Sequence, residues 1–306
     1  MSLLVRPEEL KGNSILKGLI YGQPGIGKTT LALSSPNSLC IDFDKGIGRV
    51  EPQFRVPSLQ VDNFAQVLEL LNSDEIKGFD TIVIDTLGKM IDRIADYIAV
   101  NNPKLRQSDG QMSMKGWGAI KLQFNSFLKL LESKNKSIIF VAHESEEKED
   151  DKVKKRPDVS GSARKDIVKE LDFMGYMEAS GGKRVVTFSP TEKFYAKNSI
   201  GLEGEIEVSH TKSGNSFMAE KIFRASQQRL SEQAELREKY NSLIEQIDAR
   251  IAELNTLDEI NEYYTNSIGK LEAIWNSKYY EQDKFKIRAK ELGFEFDRIT
   301  KQFTQK

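Results

Sequence analysis

Across the first two thirds of the chain, short apolar runs rich in β-branched residues alternate with longer stretches of mixed polarity. The runs at 15–21, 38–43, 81–85, 137–142 and 185–189 are continuous enough for strands buried on both faces. Between them, residues 28–33, 64–71 behind an N-cap at Asp62, 87–100 and 120–131 have helical patterning. Ile120, Phe124, Phe127, Leu128 and Leu131 form one stripe at helical spacing, which marks them as core. Strand and helix in alternation predict a mainly parallel, twisted sheet covered by helices on both faces.

The pattern changes near Ser226. Glycine becomes rare, and Leu236, Tyr240, Leu243, Ile247, Ile251 and Leu254 recur every three to four residues among Glu, Lys and Gln. This predicts a long amphipathic helix. Two more are expected, one through Leu257, Ile260, Tyr264, Ile268 and Leu271, the other from Phe285 to Phe303. The expected division is therefore an α/β core over 1–224 and a helical region over 225–306, which would serve interaction or oligomerisation and carries no metal, nucleophile or phosphate signal.

Composition narrows the partners. Lys plus Arg number 45 against 46 Asp plus Glu, so any nucleic-acid contact has to be a local patch and not a global basic field. The single cysteine, Cys40, excludes an intramolecular disulfide or a multi-cysteine zinc site and fits a reducing cytoplasm. Arg6, Pro7, Glu8 and Glu9 interrupt the N-terminus, and no 18-residue apolar run occurs, which predicts a soluble chain that is neither exported nor membrane-bound.

The chemistry is concentrated in Gly22-Gln23-Pro24-Gly25-Ile26-Gly27-Lys28-Thr29, which matches G-x-x-x-x-G-K-[ST] between a strand run and a helical run. Glycines let backbone N–H groups curl around a phosphate without a Cβ in the way, at the positive end of the following helix. Lys28 is expected on the β- and γ-phosphates of ATP, Thr29 on Mg²⁺, and Thr30 completes the nucleotide contacts. Thr81-Ile82-Val83-Ile84-Asp85 supplies a buried strand ending in a carboxylate, so Asp85 is expected to hold the Mg²⁺ through a water, with Thr86 as an N-cap.

No acid follows Asp85, whereas Asp44 lies just past the strand ending Ile41-Asp42-Phe43. That placement resembles the RecA-type core, where the catalytic acid ends the strand after the P-loop helix. Val83-Ile84-Asp85-Thr86 resembles the RecA-type magnesium strand, the run 138–143 the strand whose terminal residue, here His143, senses the γ-phosphate, and Tyr195-Ala196-Lys197-Asn198 the hairpin whose lysine reaches a neighbouring subunit's ATP. From Leu16 to Leu202 the order of motifs is similar to a family of short, phage-encoded RecA-like ATP-binding proteins associated with single-strand annealing and recombination. The resemblance implies a RecA-like P-loop NTPase core with Asp44, Lys28, His143 and Lys197 catalytic, and a homo-oligomer, ring or filament, with ATP at its interfaces. It also implies a phage or host recombination or replication partner for the C-terminal helices. RecA relatives carry Glu and Gln where Asp44 and His143 stand, their second hairpin lysine falls on Ser199, and their long N-terminal oligomerisation element has no counterpart here. Asp is one methylene shorter than Glu, which implies slow hydrolysis or a geometry completed by a partner.

RecA-type cores bind single-stranded DNA through two loops. The first here is 101–118, with Lys104, Arg106, Lys115 and Trp117, cations and an aromatic that suit backbone tracking and base stacking. The second is 144–161, acidic to Asp151 and then basic at Lys152 to Arg156, where Lys154, Lys155 and Arg156 are the DNA candidates, with a helix expected to start at 160–163. The function expected is a DNA-stimulated P-loop ATPase. Its alternatives are an ATP-locked binding module with little turnover and a ring-helicase motor; a small-molecule kinase is disfavoured by the lack of an Arg-rich lid.

Overall fold

The fold is that of a computed structural model, described for residues 14–149, 152–159, 168–202, 204–208 and 216–305. The helix start expected at 160–163 lies outside the described residues. Ten strands form the main sheet: β1 Lys17–Gly22, β2 Ser38–Asp42, β3 Ser58–Gln60, β4 Thr81–Asp85, β5 Ser137–Glu149, β6 Lys152–Pro157, β7 Phe173–Ser180, β8 Lys183–Thr187, β9 Lys197–Asn198 and β10 Glu205–Glu207. Their order is β10-β8-β7-β1-β5-β4-β2-β3, with β6 beside β5 and β9 beside β7. The pairs from β7 across to β3 are parallel.

The connections are helical: α1 Lys28–Leu33 follows β1, α2 Phe64–Asn72 follows β3, and α3 Leu87–Asn101 and α4 Met114–Ser133 lie between β4 and β5. Because successive strand residues face opposite sides, each strand feeds two cores. Leu19, Tyr21, Ile82, Ile84 and Phe140 pack with Phe64, Ile94, Phe124 and Phe127 from α2, α3 and α4. Ile20, Cys40, Val83, Ile139 and Val141 pack on the other side with Leu31 and Leu33 of α1 and with Met218, Ile222 and Phe223. The result is a mainly parallel sheet covered by helices on both faces, followed by a C-terminal helical region. No helix of the described residues is long and apolar enough to cross a membrane.

Several elements differ from the sequence reading. The cap of α2 is Asn63, whose side chain accepts from Gln66 N in a reciprocal capping box, while Asp62 instead pairs with Lys45 at 2.5 Å. Thr86 occupies the N-cap position of α3 without a side-chain capping bond. β7 was not foreseen, although it lies directly against β1. Gly175 interrupts its apolar run, and it does so of necessity, since a Cβ there would come within 2.6 Å of the Phe188 ring. The strand expected at 185–189 is β8, which runs antiparallel to β7 because Gly181 and Gly182, both at positive φ, turn the chain back at once.

The Cα framework divides the chain after Gln227. In the second unit, α5 Arg224–Ala252, which begins just before the division, is followed by α6 Leu257–Asn266 and α7 Ser277–Glu291. Ile247, Ile251, Ile260, Tyr263, Phe285 and Phe303 form its core. The helix expected to run from Phe285 to Phe303 stops at Glu291, Gly293 takes a φ of 78°, and β11 Phe294–Asp297 pairs antiparallel with β12 Gln302–Gln305. Period-two alternation in Phe294-Glu295-Phe296-Asp297 is a strand signal that helical spacing of the aromatics concealed.

Candidate active site

Parallel strands end on the same edge of the sheet, and that edge gathers the polar residues. β1 stops at Gly22, whose absent Cβ leaves room for Met177 O on β7; a Cβ would lie 2.1 Å from it. The chain then curls through Gly25 and Gly27, at φ of 77° and 103°, into α1. Lys28 is 5% exposed, and its Nζ donates to Gln23 O at 2.7 Å, closing the loop over itself. Burial disfavours its ammonium, and the carboxylates of Asp85 and Glu144 work in the opposite direction.

Thr29 Oγ1 donates to Asp85 Oδ2 at 2.7 Å, so the two residues assigned to a magnesium ion are already joined. Burial raises the Asp85 carboxyl to about 6 against the Thr29 hydrogen bond, with Asp42 and Asp44 adding to the rise. The Asp85–Thr86 peptide bond is cis. Asp85 O in turn accepts from Phe43 N at 2.6 Å and Asp44 N at 3.2 Å, which fastens the end of β2 beside β4.

Two acids end β2, and they divide the work. Asp42 is fully buried and accepts from Gly46 N at 3.0 Å and Ile47 N at 2.9 Å, so it shapes the loop. Asp44 lies in the cleft, where Arg49 Nη2 donates to its Oδ2 at 2.8 Å. His143, opposite Gly22 in the β1–β5 register, lines the same cleft; its Nδ1 is buried without a hydrogen-bond partner. Burial, then the Lys28 charge, lowers the imidazole pKa, which keeps the ring neutral. The cleft measures about 480 Å³ and is bounded by the P-loop, Asp44, Arg49, Asp85, Thr86, Val141 and His143.

A buried lysine on a glycine loop, a Thr–Asp pair and a cleft of nucleotide size fit a magnesium–triphosphate complex. Among the described residues there is no cluster of three metal-ligating side chains, so such a metal would rely on phosphate and water for its remaining ligands. Residues 14–200 match a family model described as an AAA domain. The chain belongs to this AAA-domain family. No curated protein matches it. Among solved structures, flagellar accessory protein FlaH from Methanocaldococcus jannaschii is similar at 11% identity, over 58% of this chain and 79% of that chain, with a TM-score of 0.35. Family and cleft together identify a P-loop ATPase-type domain.

The AAA domain does not bring every expected residue to the cleft. Lys197, on β9 beside β7, donates to Val168 O at 3.3 Å and Lys169 O at 2.9 Å and is not among the cleft residues. The segment 144–157, expected as a loop, is a two-stranded ribbon in which the acidic half of β5 pairs with β6. Its basic residues are already engaged. Lys155 binds Glu144 at 2.9 Å and Glu146 at 2.7 Å, Arg156 lies 3.6 Å from Glu147, and the Lys154 ammonium sits 4.2 Å over the Tyr195 ring. Glu144, with a side chain only 9% exposed, also accepts from Tyr176 OH at 2.9 Å, while Tyr21 OH donates to Tyr195 O at 2.6 Å. The ribbon is thus a charge-compensated element fastened to the P-loop strand. The segment 101–118 is ordered too: Arg106 binds Asp96 at 2.9 Å, α4 begins at Met114, Lys115 is exposed, and Trp117 packs half-buried against the core.

The sequence reading missed Arg49 and the loop-shaping role of Asp42. Arg49 sits in no motif, but an acid two residues before Asp44 followed by Gly46 was a legible signal of a capped turn.

Proposed function

We propose that this protein binds and hydrolyses Mg-ATP in the cleft and works as an oligomer on single-stranded DNA, in recombination, annealing or replication in a bacterial host infected by phage. The observation that carries the ATPase reading is the 2.7 Å Thr29–Asp85 bond beside the buried Lys28. A bound triphosphate supplies a reactive phosphoanhydride and the negative charge that these residues are placed to receive. Lys28 would exchange Gln23 O for β- and γ-phosphate oxygens, Thr29 would ligate Mg²⁺, and Asp85 would anchor it through a water. Asp44 would orient the attacking water and take its proton, and neutral His143 would donate towards the γ-phosphate.

The DNA part rests on the order of motifs and on the exposed Lys115 beside Trp117; the ribbon's paired cations favour moving the contact to the start of α4. For Lys197 to act on a neighbouring subunit's nucleotide, its two carbonyl bonds have to be released, which would make that contact conditional on assembly. Steady-state ATPase with and without single-stranded DNA tests the reading: Lys28→Ala should abolish turnover, and mixing it with Lys197→Ala protein should restore part of it if Lys197 acts in trans. Normal turnover in Lys28→Ala would sink the P-loop assignment. A second reading, an ATP-locked binding module with little turnover, is favoured by the Asp44–Arg49 pair, which occupies the base; ATP-dependent DNA binding with a slow, DNA-independent rate would select it.

A further inference from the structure

We infer that Arg49 is a cis-acting cation for the terminal phosphate, held ready by Asp44 and transferred from it when a triphosphate enters the cleft. The inference rests on the Mg-ATP reading of that cleft. Arg49 stands on a loop whose backbone is braced from several sides. Asp42 accepts from Gly46 N and Ile47 N, Arg55 Nη2 donates to Gly48 O at 2.7 Å and its Nε to Val50 O at 2.8 Å, and Ile47 and Val50 are buried in the core beside α1. Its side chain, by contrast, is 73% exposed and borders the cleft.

The guanidinium folds back over Gly46 to Asp44, where a Cβ at position 46 would lie 2.7 Å from Nη2 and push it aside. The resulting contact, 2.8 Å between groups 73% and 31% exposed, is a weak tether, because solvent screens such pairs. A triphosphate presents several negative charges and pairs of oxygens that a guanidinium fork can bridge, whereas Asp44 holds Arg49 by one 2.8 Å contact. Handing Arg49 to the γ-phosphate frees Asp44 to accept a hydrogen bond from water. Base and phosphate cation are thereby coupled: Asp44 is unpaired only when the group to be cleaved is present. Diphosphate lacks that group and leaves the pair closed.

The test is calorimetric titration of wild type, Arg49→Ala and Arg49→Lys with Mg-ADP and with a magnesium complex of a non-hydrolysable triphosphate analogue. Arg49→Ala should lose roughly 10- to 100-fold in triphosphate affinity, as expected for hydrogen bonds to a charged group, while diphosphate affinity changes by less than about twofold. Arg49→Lys, keeping the charge without the fork, should recover part of the loss. Equal losses for both nucleotides, or none for either, would overturn the proposal while leaving the ATP site in place. A wild-type protein that bound neither nucleotide would remove the ATP reading and the role of Arg49 with it.

Discussion

Asp85→Asn should make the nucleotide-free, magnesium-free protein more stable at neutral pH while destroying its use of Mg-ATP. Asp85 is 4% exposed, and burial with neighbouring Asp42 and Asp44 outweighs the Thr29 hydrogen bond, raising its carboxyl from 3.8 to about 6. A folded-state value above the unfolded one means that the group's contribution is fully present below about 4 and is lost as pH rises through about 6. The raised value corresponds to about 3 kcal/mol by pH 8. An asparagine side chain cannot ionise and keeps an acceptor for Thr29. Urea unfolding, followed by Trp117 fluorescence in a Trp275→Phe background, should therefore show the Asp85→Asn protein ahead at pH 8 by up to about 3 kcal/mol and the gap closing towards pH 4. Saturating Mg-ATP should reverse the order, since a carboxylate would anchor the metal's water more strongly than an amide. A gap that stayed constant between pH 4 and 8 would refute the claim that burial of a charge governs this site.

Asp44→Asn should keep nucleotide affinity and lose hydrolysis, because a general base contributes little to ground-state binding; single-turnover assays beside equilibrium titration would reveal normal hydrolysis if the base is elsewhere. Gly22→Ala drives a Cβ to 2.1 Å from Met177 O, so the P-loop strand and β7 must part and thermal unfolding should move down by several degrees or soluble protein be lost; an unchanged melting temperature would contradict the packing. Lys155→Ala leaves Glu144 mostly buried with Tyr176 as its remaining donor and should cost about 1–3 kcal/mol in denaturant unfolding. In salt-dependent DNA titrations Lys115→Ala should lower the slope by about 1, whereas Lys155→Ala should leave it unchanged if the ribbon's cations are internally paired.

How much of this was legible follows from where the partners lie. The P-loop was readable because Gly22, Gly25, Gly27, Lys28 and Thr29 fall within the one segment Gly22–Thr29, and the backbone path depends on its own φ preferences and on the strand and helix that flank it. Asp85 was readable for a similar reason, since a β-branched run, Thr81 to Ile84, followed by a carboxylate describes a buried strand reaching an edge. The period-3.6 stripe of α4 and the change of texture near Ser226 were local signals as well. β7 was lost because Gly175, required by the Phe188 ring packed over it, looks from the sequence like a break in the strand.

The amino-acid sequence by itself determined the P-loop, its strand and helix, the buried strand ending in Asp85 and the helical character of the C-terminal region, all of them properties of short consecutive segments. Tertiary structure supplied the reason that Asp44 and not Asp42 faces the cleft: the loop takes the Asp42 carboxylate for Gly46 N and Ile47 N. It also placed Arg49 over Gly46, and it turned an acidic run followed by a basic run into a charge-compensated ribbon by pairing them in register. Charges written one after another along the chain show what a segment could attract; only the folded register shows that Glu144 and Glu146 had already taken Lys155.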